Sequence, residues 1–368
     1  MMILGIETSC DETAAAVVIE TYKPERPWVI RSNIISSQID IHREWGGVVP
    51  ELASRQHVRD ICGVVERALE DADVTWNDLD AIAVTQGPGL VGSLLIGVAF
   101  AKALAASLAL PLVPVHHLAG HIESLVLENG PLPLPSLVLV VSGGHTSLYL
   151  VPNEGIYRLV GRTRDDAAGE AFDKVATLLG LTYPGGPIID RLARKGNDQA
   201  VKFPIARMTH DDRQTGSLLT SPVGSKYVPK WLTEFSFSGL KTAVKRHVIT
   251  RRTSLSENPI PDTEVADICA SFQRVVVDSL LDRTFESARW FGVRSIGIAG
   301  GVSANSRLRA EAITRSQDSG LQLFLPSAKL ATDNAAMIAA AGLRNLHVGS
   351  TASMDLNAMA SLELGVRS

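Results

Sequence analysis

Short apolar runs, broken by small or polar turns, set the first pattern in the chain. Met2-Ile3-Leu4-Gly5-Ile6 is apolar, Thr8 to Thr13 is polar, and Ala14 to Ile19 is apolar again. This is the pattern of a strand, a turn and a second strand. It returns at Leu137 to Val141, breaks at Ser142-Gly143-Gly144-His145-Thr146 and resumes at Leu148 to Val151. Two such hairpins, about 135 residues apart, predict duplication of one α/β unit.

Helical periods lie between and after them. They run over Cys62 to Ala72, Val91 to Leu110 and Val265 to Trp290, where Val265, Ile268, Phe272, Val275, Val276 and Leu280 share one face. Ser295 to Ala299 reads as a buried strand before Gly300-Gly301, with a helix starting near Ser303 or Asn305. A final Ala-rich helix, Asn334 to Leu346, opens directly after Asp333. Leu127 to Pro135, Thr209 to Lys230 and Thr253 to Pro261 read as loops, the first as the connection between domains.

A length of 368 residues suits two domains, and 45% hydrophobic with 20% charged residues excludes wholesale disorder. The longest apolar stretch, Leu94 to Leu112, is interrupted by Lys102 and ends at Pro111, so no membrane span is expected. Glu7, Asp11 and Glu12 arrive too early for a leader peptide. Cys10, Cys62 and Cys269 are few and scattered, which points to a reducing, cytoplasmic compartment. Net charge is −4, but residues 190–252 carry thirteen Lys and Arg against five Asp and Glu, a net +8. That asymmetry suits a phosphate-backbone surface and equally a solvated basic face.

Three groups of residues carry candidate chemistry. His117 and His121 are four apart, which on a helix puts two imidazoles on one face, as two ligands of one metal require. The intervening Leu118-Ala119-Gly120 lacks the glutamate of a zinc protease, and a third ligand must come from elsewhere. Spacing alone leaves a structural reading open. The glycine pairs 143–144, 185–186 and 300–301 each sit at the edge of an element, where backbone N–H groups can approach an anion. Asp11 and Glu12 occupy the first turn. Asp165 and Asp166 read as solvated acids, whereas Asp173, beside Phe172, suits a cleft.

Seven segments together resemble the universal tRNA threonylcarbamoyladenosine transferase family, long mislabelled a sialoglycoprotein endopeptidase. They are Gly5 to Thr13, Gly46 to Arg55, His116 to His121, Val141 to Thr146, Gly169 to Val175, Phe235 to Lys241 and Gly300 to Asn305. The order holds to beyond Asp333. The long central insert makes the chain similar to the bacterial and organellar branch. Trp45 stands where that family often has tyrosine.

The resemblance implies an α/β actin-like, sugar-kinase and heat-shock ATPase fold. It implies an N-terminal subdomain over 1–130, completed by a C-terminal helix 334–368, and a second over 131–333 with an insert near 205–262. It further implies one divalent metal, iron(II) with zinc as the alternative, on His117, His121 and Asp333. Implied substrate contacts are Val140, Val141, Ser142, Gly143, Gly144, Asp173, Gly186, Asp190 and Asn305. Asp11 and Glu12 are candidate catalytic groups by their place in the first turn. The implied reaction passes a threonylcarbamoyl group from threonylcarbamoyl-AMP to adenosine 37 of tRNAs reading codons that begin with A. The implied protein partners are a degenerate paralogue of the same fold and a small ATPase, or a second copy of the chain. Two readings compete: a metalloprotease, and a silent nucleotide-binding member of a modification complex. On the tRNA reading, Lys241, Lys245, Arg246, Arg251 and Arg252 become candidate phosphate contacts.

Overall fold

A computed structural model describes residues 1–205, 216–221, 224–256 and 259–365. The chain divides into two compact units: Met1–Leu132 with Glu154–Tyr157 and Pro326–Ser368, and Pro133–Asn153 with Arg158–Leu325.

The chain begins with β1 (Met2–Glu7), β2 (Glu12–Glu20) and β3 (Trp28–Ser37). It continues through α1 (Ile39–Arg43), α2 (Pro50–Ala72), β4 (Ala81–Gly87), α3 (Val91–Leu108), β5 (Leu112–His116) and α4 (His117–Asn129). The second unit opens with β6 (Ser136–Val141), β7 (Thr146–Asn153) and β8 (Ile156–Arg162), then α5 (Ala168–Leu179) and α6 (Gly185–Ala193). A hairpin of β9 (Gly216–Ser221) and β10 (Gly224–Pro229) precedes α7 (Lys230–Thr233), α8 (Ser238–Ser254) and α9 (Asp262–Phe291). After β11 (Ser295–Ala299), α10 (Ser306–Ser319) and β12 (Gln322–Phe324), the chain returns to the first unit as α11 (Ala328–Ala331) and α12 (Ala335–His347).

The two sheets share one plan. Their orders are β3-β2-β1-β4-β5 and β8-β7-β6-β11-β12. In each, the central strand pairs antiparallel with its hairpin partner, β2 or β7, and parallel with the strand on its other side, β4 or β11. The central strands β1 and β6 are almost wholly buried, as strands covered by helices on both faces must be. The spaced hairpins of the sequence are thus the first strands of two copies of one topology.

Differences from the sequence reading have local causes. Helix α2 begins twelve residues before the expected Cys62, at Pro50. Its buried register runs Ala53, His57, Ile61, and the polar His57 hides the apolar period. The stretch expected as a loop over 209–230 holds the β9–β10 hairpin. Residues 206–215, 222–223 and 257–258 of the expected insert lie outside the described residues. Helix α12 stops at His347, before Gly349 at φ +72°, so the expected C-terminal helix covers only part of 334–368. Beyond it the chain bonds back to the first unit: Ala352 N donates to Leu112 O and Met359 N to Gln86 O, both at 2.8 Å.

Helix α3 is long and apolar enough to cross a membrane, with mean hydropathy 1.9. Its Leu94, Val98, Ala101 and Ala105 are nevertheless buried within the first unit. Val91 and Leu95 are exposed on its outer face.

Helix α12 fixes the geometry of the first unit. Ala335, Ala336, Ala339 and Ala340 are fully buried, and they let the helix lie flush on the sheet. A Cβ at Gly5 would collide with Ala335 O and come within 2.7 Å of Ala339 N. Gly120 does the same between α4 and α12, where a Cβ would lie 2.9 Å from Ile338 Cδ1 and 3.1 Å from Met337 Cγ. Gly5→Ala should therefore destabilise the protein by about 1–3 kcal/mol, because backbone atoms must move. Gly63→Ala, in the middle of α2 with nothing within 4 Å, should instead stabilise by about 0.5–1 kcal/mol. Denaturant midpoints read both, and equal shifts would contradict the packing argument.

Candidate functional site

The first cluster is built by the ends of β1, β5 and α12. Strand β5 ends at His116, and His117 and His121 are one turn apart on α4. Their rings meet edge to face with centroids 4.8 Å apart. Asp333, just before the start of α12, brings Oδ1 to 3.6 Å from His117 Nε2 and 3.2 Å from His121 Nε2. One donor atom from each of the three lies within 4.8 Å of the others.

His117 is oriented from behind by Glu7, a residue the sequence reading passed over. The Glu7 carboxylate is fully buried at the end of β1 and accepts from His117 Nδ1 at 2.9 Å, Thr85 Oγ1 at 2.8 Å and Ser9 N at 2.5 Å. With Nδ1 donating, Nε2 faces Asp333. The available signal was a charge ending an otherwise apolar, fully buried strand.

His121 supplies the fit test for a metal. It has no solvent exposure, and neither ring nitrogen makes a hydrogen bond among the described residues, the 3.2 Å approach of Asp333 Oδ1 to Nε2 lying off hydrogen-bond geometry. A buried imidazole left this way costs free energy unless something accepts its lone pair. Two imidazoles and a carboxylate at this spacing suit a divalent transition ion with coordination positions left open. No other group of His, Cys, Asp and Glu among the described residues meets that description. Glu123, the acid on α4 nearest the histidines, is held bidentately by Arg344 at 2.6 and 3.1 Å and bonded by Tyr157. It is not available as a protease base.

Asp11 and Glu12 lie in the turn beside this cluster. Burial raises the Glu12 carboxyl well above the usual carboxylate range, and Asp11 and Asp333 add to the effect. Burial likewise raises the Cys10 thiol, reinforced by the same carboxylates. The turn is anchored by a relay of buried groups. His57 Nε2 donates to Cys10 O at 3.0 Å and its Nδ1 accepts from Thr13 Oγ1 at 2.7 Å. Gln38 N donates to Asp11 O at 2.9 Å, and His42 Nε2 donates to Gln38 Oε1 at 3.2 Å. Burial lowers the pKa of both His42 and His57, which keeps the relay neutral.

The second group lies in the other unit. Val140 and Val141 end β6 and are fully buried, Ser142 is nearly so, and Gly143 and Gly144 are exposed with open space where a Cβ would go. The start of α5 holds this turn from below, with Gly169 N donating to Ser142 O at 3.2 Å and Glu170 N to Gly143 O at 3.1 Å. Asp173, on α5, accepts from Gly185 N at 2.8 Å, while Gly186 stands open in the first turn of α6. Asp190 on α6 accepts from Ser306 Oγ at 2.7 Å, Arg194 at 3.0 Å and Gln273 Nε2 at 3.1 Å. Asn305 caps α10 through Leu308 N and donates to Gln273 Oε1 at 2.9 Å. Gln273 and Ser306 thus join Asp190 to Asn305. Neither was singled out in sequence, since Gln273 sits inside the apolar period of α9.

Asp165 is exposed as expected and Asp166 only partly so, but neither is without partners. Asp165 accepts from Ser236, Phe237 and Ser238 at the start of α8, and Asp166 pairs with Lys174 at 2.8 Å and Lys241 at 2.6 Å. The basic helix is correspondingly less free than its charge suggests. Arg251 is held bidentately by Glu264 and Arg252 donates to Leu178 O, whereas Lys245 and Arg246 are exposed with no ion-pair partner among the described residues.

Burial alone would lower the pKa of His117, but Asp333 and Glu7 override it and push it up to about 9. A metal must displace that proton, so apparent metal affinity should rise about tenfold per pH unit and level off above about 9. Asp333→Ala should abolish metal binding, and Glu7→Gln should weaken it about 10–100-fold while keeping the fold. Chelator competition across pH measures both, and a pH-independent affinity would refute the proton-coupled account.

A family model for tRNA N6-adenosine threonylcarbamoyltransferase matches residues 29–340. A relative with that name in Anaeromyxobacter dehalogenans is 50% identical over 97% of both chains. One in Clostridium perfringens is 47% identical over all of this chain and 99% of its own. Among solved structures, full-length HypF in the phosphate- and nucleotide-bound form matches with TM-score 0.56 at 15% identity, over 94% of this chain and 55% of that one. The ADPNP-bound activator of 2-hydroxyisocaproyl-CoA dehydratase from Clostridium difficile gives 0.50 at 12%, over 95% and 97%. These likenesses carry the fold, which is the actin-like ATPase fold. With a matching family model and near-half identity along its whole length, the chain belongs to the tRNA N6-adenosine threonylcarbamoyltransferase family and is a transferase.

Proposed function

We propose that this protein transfers the threonylcarbamoyl group from threonylcarbamoyl-AMP to N6 of adenosine 37 in tRNAs reading codons that begin with A. The observation that carries the reading is the cluster of His117, His121 and Asp333, with its unsatisfied buried imidazole, in a chain of this family. His117, His121 and Asp333 would hold the divalent metal, iron(II) in preference to zinc. When bound, it supplies Lewis-acid polarisation of the donor.

The remaining work falls to the chain. Backbone N–H groups of the exposed turn at Gly143 and Gly144 receive the donor phosphate, and Gly186 leaves a second open approach. Asp173, Asp190 and Asn305 line the ribose and adenine side. The N6 amine attacks the carbamoyl carbon, the bond from that carbon to the phosphate oxygen breaks, and AMP leaves with the electron pair. The amine proton passes to a base. Glu12 suits that role better than an ordinary carboxylate, because its raised pKa makes it a stronger acceptor once ionised.

A degenerate paralogue and a small ATPase, or a second copy of the chain, would complete the cytoplasmic assembly. The exposed Val91 and Leu95 on α3 and Val58 on α2 support such an apolar contact.

Labelled donor and unmodified tRNA, supplied with and without those partners, test the reaction. Gly144→Val should fold normally, since no protein atom lies within 4 Å of the new Cβ, yet bind AMP at least about tenfold more weakly, roughly 1.4 kcal/mol. Unchanged AMP affinity would make the glycines ordinary turn residues. Lys245→Glu with Arg246→Glu should weaken tRNA binding and flatten its dependence on salt, because phosphate contacts release counterions. Binding with an unaltered salt slope would move the tRNA surface elsewhere.

A further inference from the structure

Trp45 belongs to neither cluster of site residues, and its placement is unusual. The indole is 67% exposed, against a general tendency of tryptophan to be largely buried. One turn earlier, Ile41 is 39% exposed.

The segment that carries Trp45 is held firmly. Trp45 N donates to the backbone carbonyl of His42 at 3.0 Å, and Val49 N donates to the His42 ring at Nδ1 at 3.2 Å, so one fully buried residue holds both ends of the loop, one through its backbone and one through its imidazole. Gly46 turns the chain at φ +70°, and neither Gly46 nor Gly47 has any atom within 4 Å of where a Cβ would stand. The space next to the ring is therefore open, and no side chain of these two neighbours covers it. The loop is also tied to the reactive turn. His42 bonds to Gln38, Gln38 N bonds to Asp11 O, and Gln38 Nε2 lies 3.4 Å from His57 Nδ1, whose ring holds Cys10 O. An exposed aromatic ring on a held loop is thus connected through His42 and Gln38 to the turn that bears Asp11 and Glu12.

We propose that the Trp45 indole is a stacking platform for an unpaired base of the anticodon loop of the tRNA acceptor, a reading that rests on the function proposed above. An anticodon loop offers unstacked bases, and single-stranded RNA is commonly held on aromatic rings. The local charges favour stacking over phosphate contact. Arg43 is paired with Asp40 at 2.9 Å, and Glu44 adjoins the tryptophan, so the segment has no spare positive charge for a backbone. A base presents a π-face and needs none. The pinned loop keeps the ring in place before RNA arrives, which lowers the ordering cost of binding.

This predicts a signature different from that of a cationic contact. With the full-length protein and an anticodon stem-loop RNA, Trp45→Ala should bind about tenfold more weakly with an unchanged salt slope. Trp45→Phe should stay within about threefold of wild type, because a flat ring remains. AMP affinity and metal content should be unaltered in both, which separates the effect from unfolding. Wild-type RNA affinity in Trp45→Ala would overturn the proposal, as would equal losses in the Ala and Phe variants. Loss of binding to a purified protein partner with RNA affinity intact would also overturn it, assigning the ring to a protein interface. If the wild-type protein neither binds the stem-loop nor modifies tRNA, it is the proposed function that fails.

Discussion

Close approach of α12 to its neighbours is the constraint on which the first unit depends. Asp333 belongs to a part of the chain more than two hundred residues from the histidines, and nothing local aims it at them. It is brought there because α12 lies against β1 at Gly5, where a methyl group would meet backbone atoms, and against α4 at Gly120, where it would meet the side chains of Ile338 and Met337. The helix approaches β1 closely because the residues it presents there are small, with alanine at 335 and 339, while its larger buried side chains, Met337 and Ile338, meet α4 at Gly120. Small residues here determine the spacing between donor atoms on separate elements, and that spacing decides which ions fit. The ion pair of Glu123 with Arg344 joins the same two helices further along.

The electrostatics of the cluster follow from that packing. Glu7 and Asp333 meet the two imidazoles, and Asp11 and Glu12 lie close enough to Asp333 to act on one another within a largely buried group. Such an arrangement is expensive unless protons or cations are taken up. Two groups take up that cost as protons: burial with the neighbouring carboxylates raises the Glu12 carboxyl well above the usual range, and Asp333 and Glu7 push the His117 pKa up to about 9. A divalent ion would replace those protons with positive charge at the centre of the group. The folding of β1 against α4, through Glu7 and His117, is therefore the same interaction that prepares the donor set.

The sequence displayed some of this and concealed the rest for physical reasons. The duplicated topology was legible because β1 and β6 are buried on both faces and read as unbroken apolar runs between polar turns. The histidine pair was legible because helical spacing alone places His117 beside His121. Asp333 was not, since no periodicity connects it to α4, and only resemblance supplied it. Glu7 escaped because a charge at the end of a strand ordinarily faces solvent. Its burial depends on Thr85 and His117, which arrive from other strands and helices. Asp165 is exposed, as two adjacent acids suggest, but its bonds to the start of α8 and the pairing of Asp166 with Lys241 join segments some seventy residues apart and leave no local signal.

The same distinction between charge in sequence and charge available in space applies to the second unit. A net +8 over residues 190–252 suggests a broad basic face. Yet Lys241 pairs with Asp166 and Arg251 with Glu264, so the uncompensated positive charge of α8 narrows to Lys245, Arg246 and Arg252 among the described residues, the last bonded only to a backbone carbonyl. Arg194, at the end of α6, pairs with Asp190. Asp190 shows the converse. Its carboxylate already satisfies Ser306, Gln273 and Arg194, so a ligand hydroxyl must share or displace these donors. The turn at Gly143 and Gly144 has no such competition, because its backbone stands open to solvent. In contrast to the Asp190 network, the two glycines therefore leave the backbone of the turn accessible. The interlocked Asp190, Gln273 and Asn305 instead hold the start of α10 at a fixed position beside it.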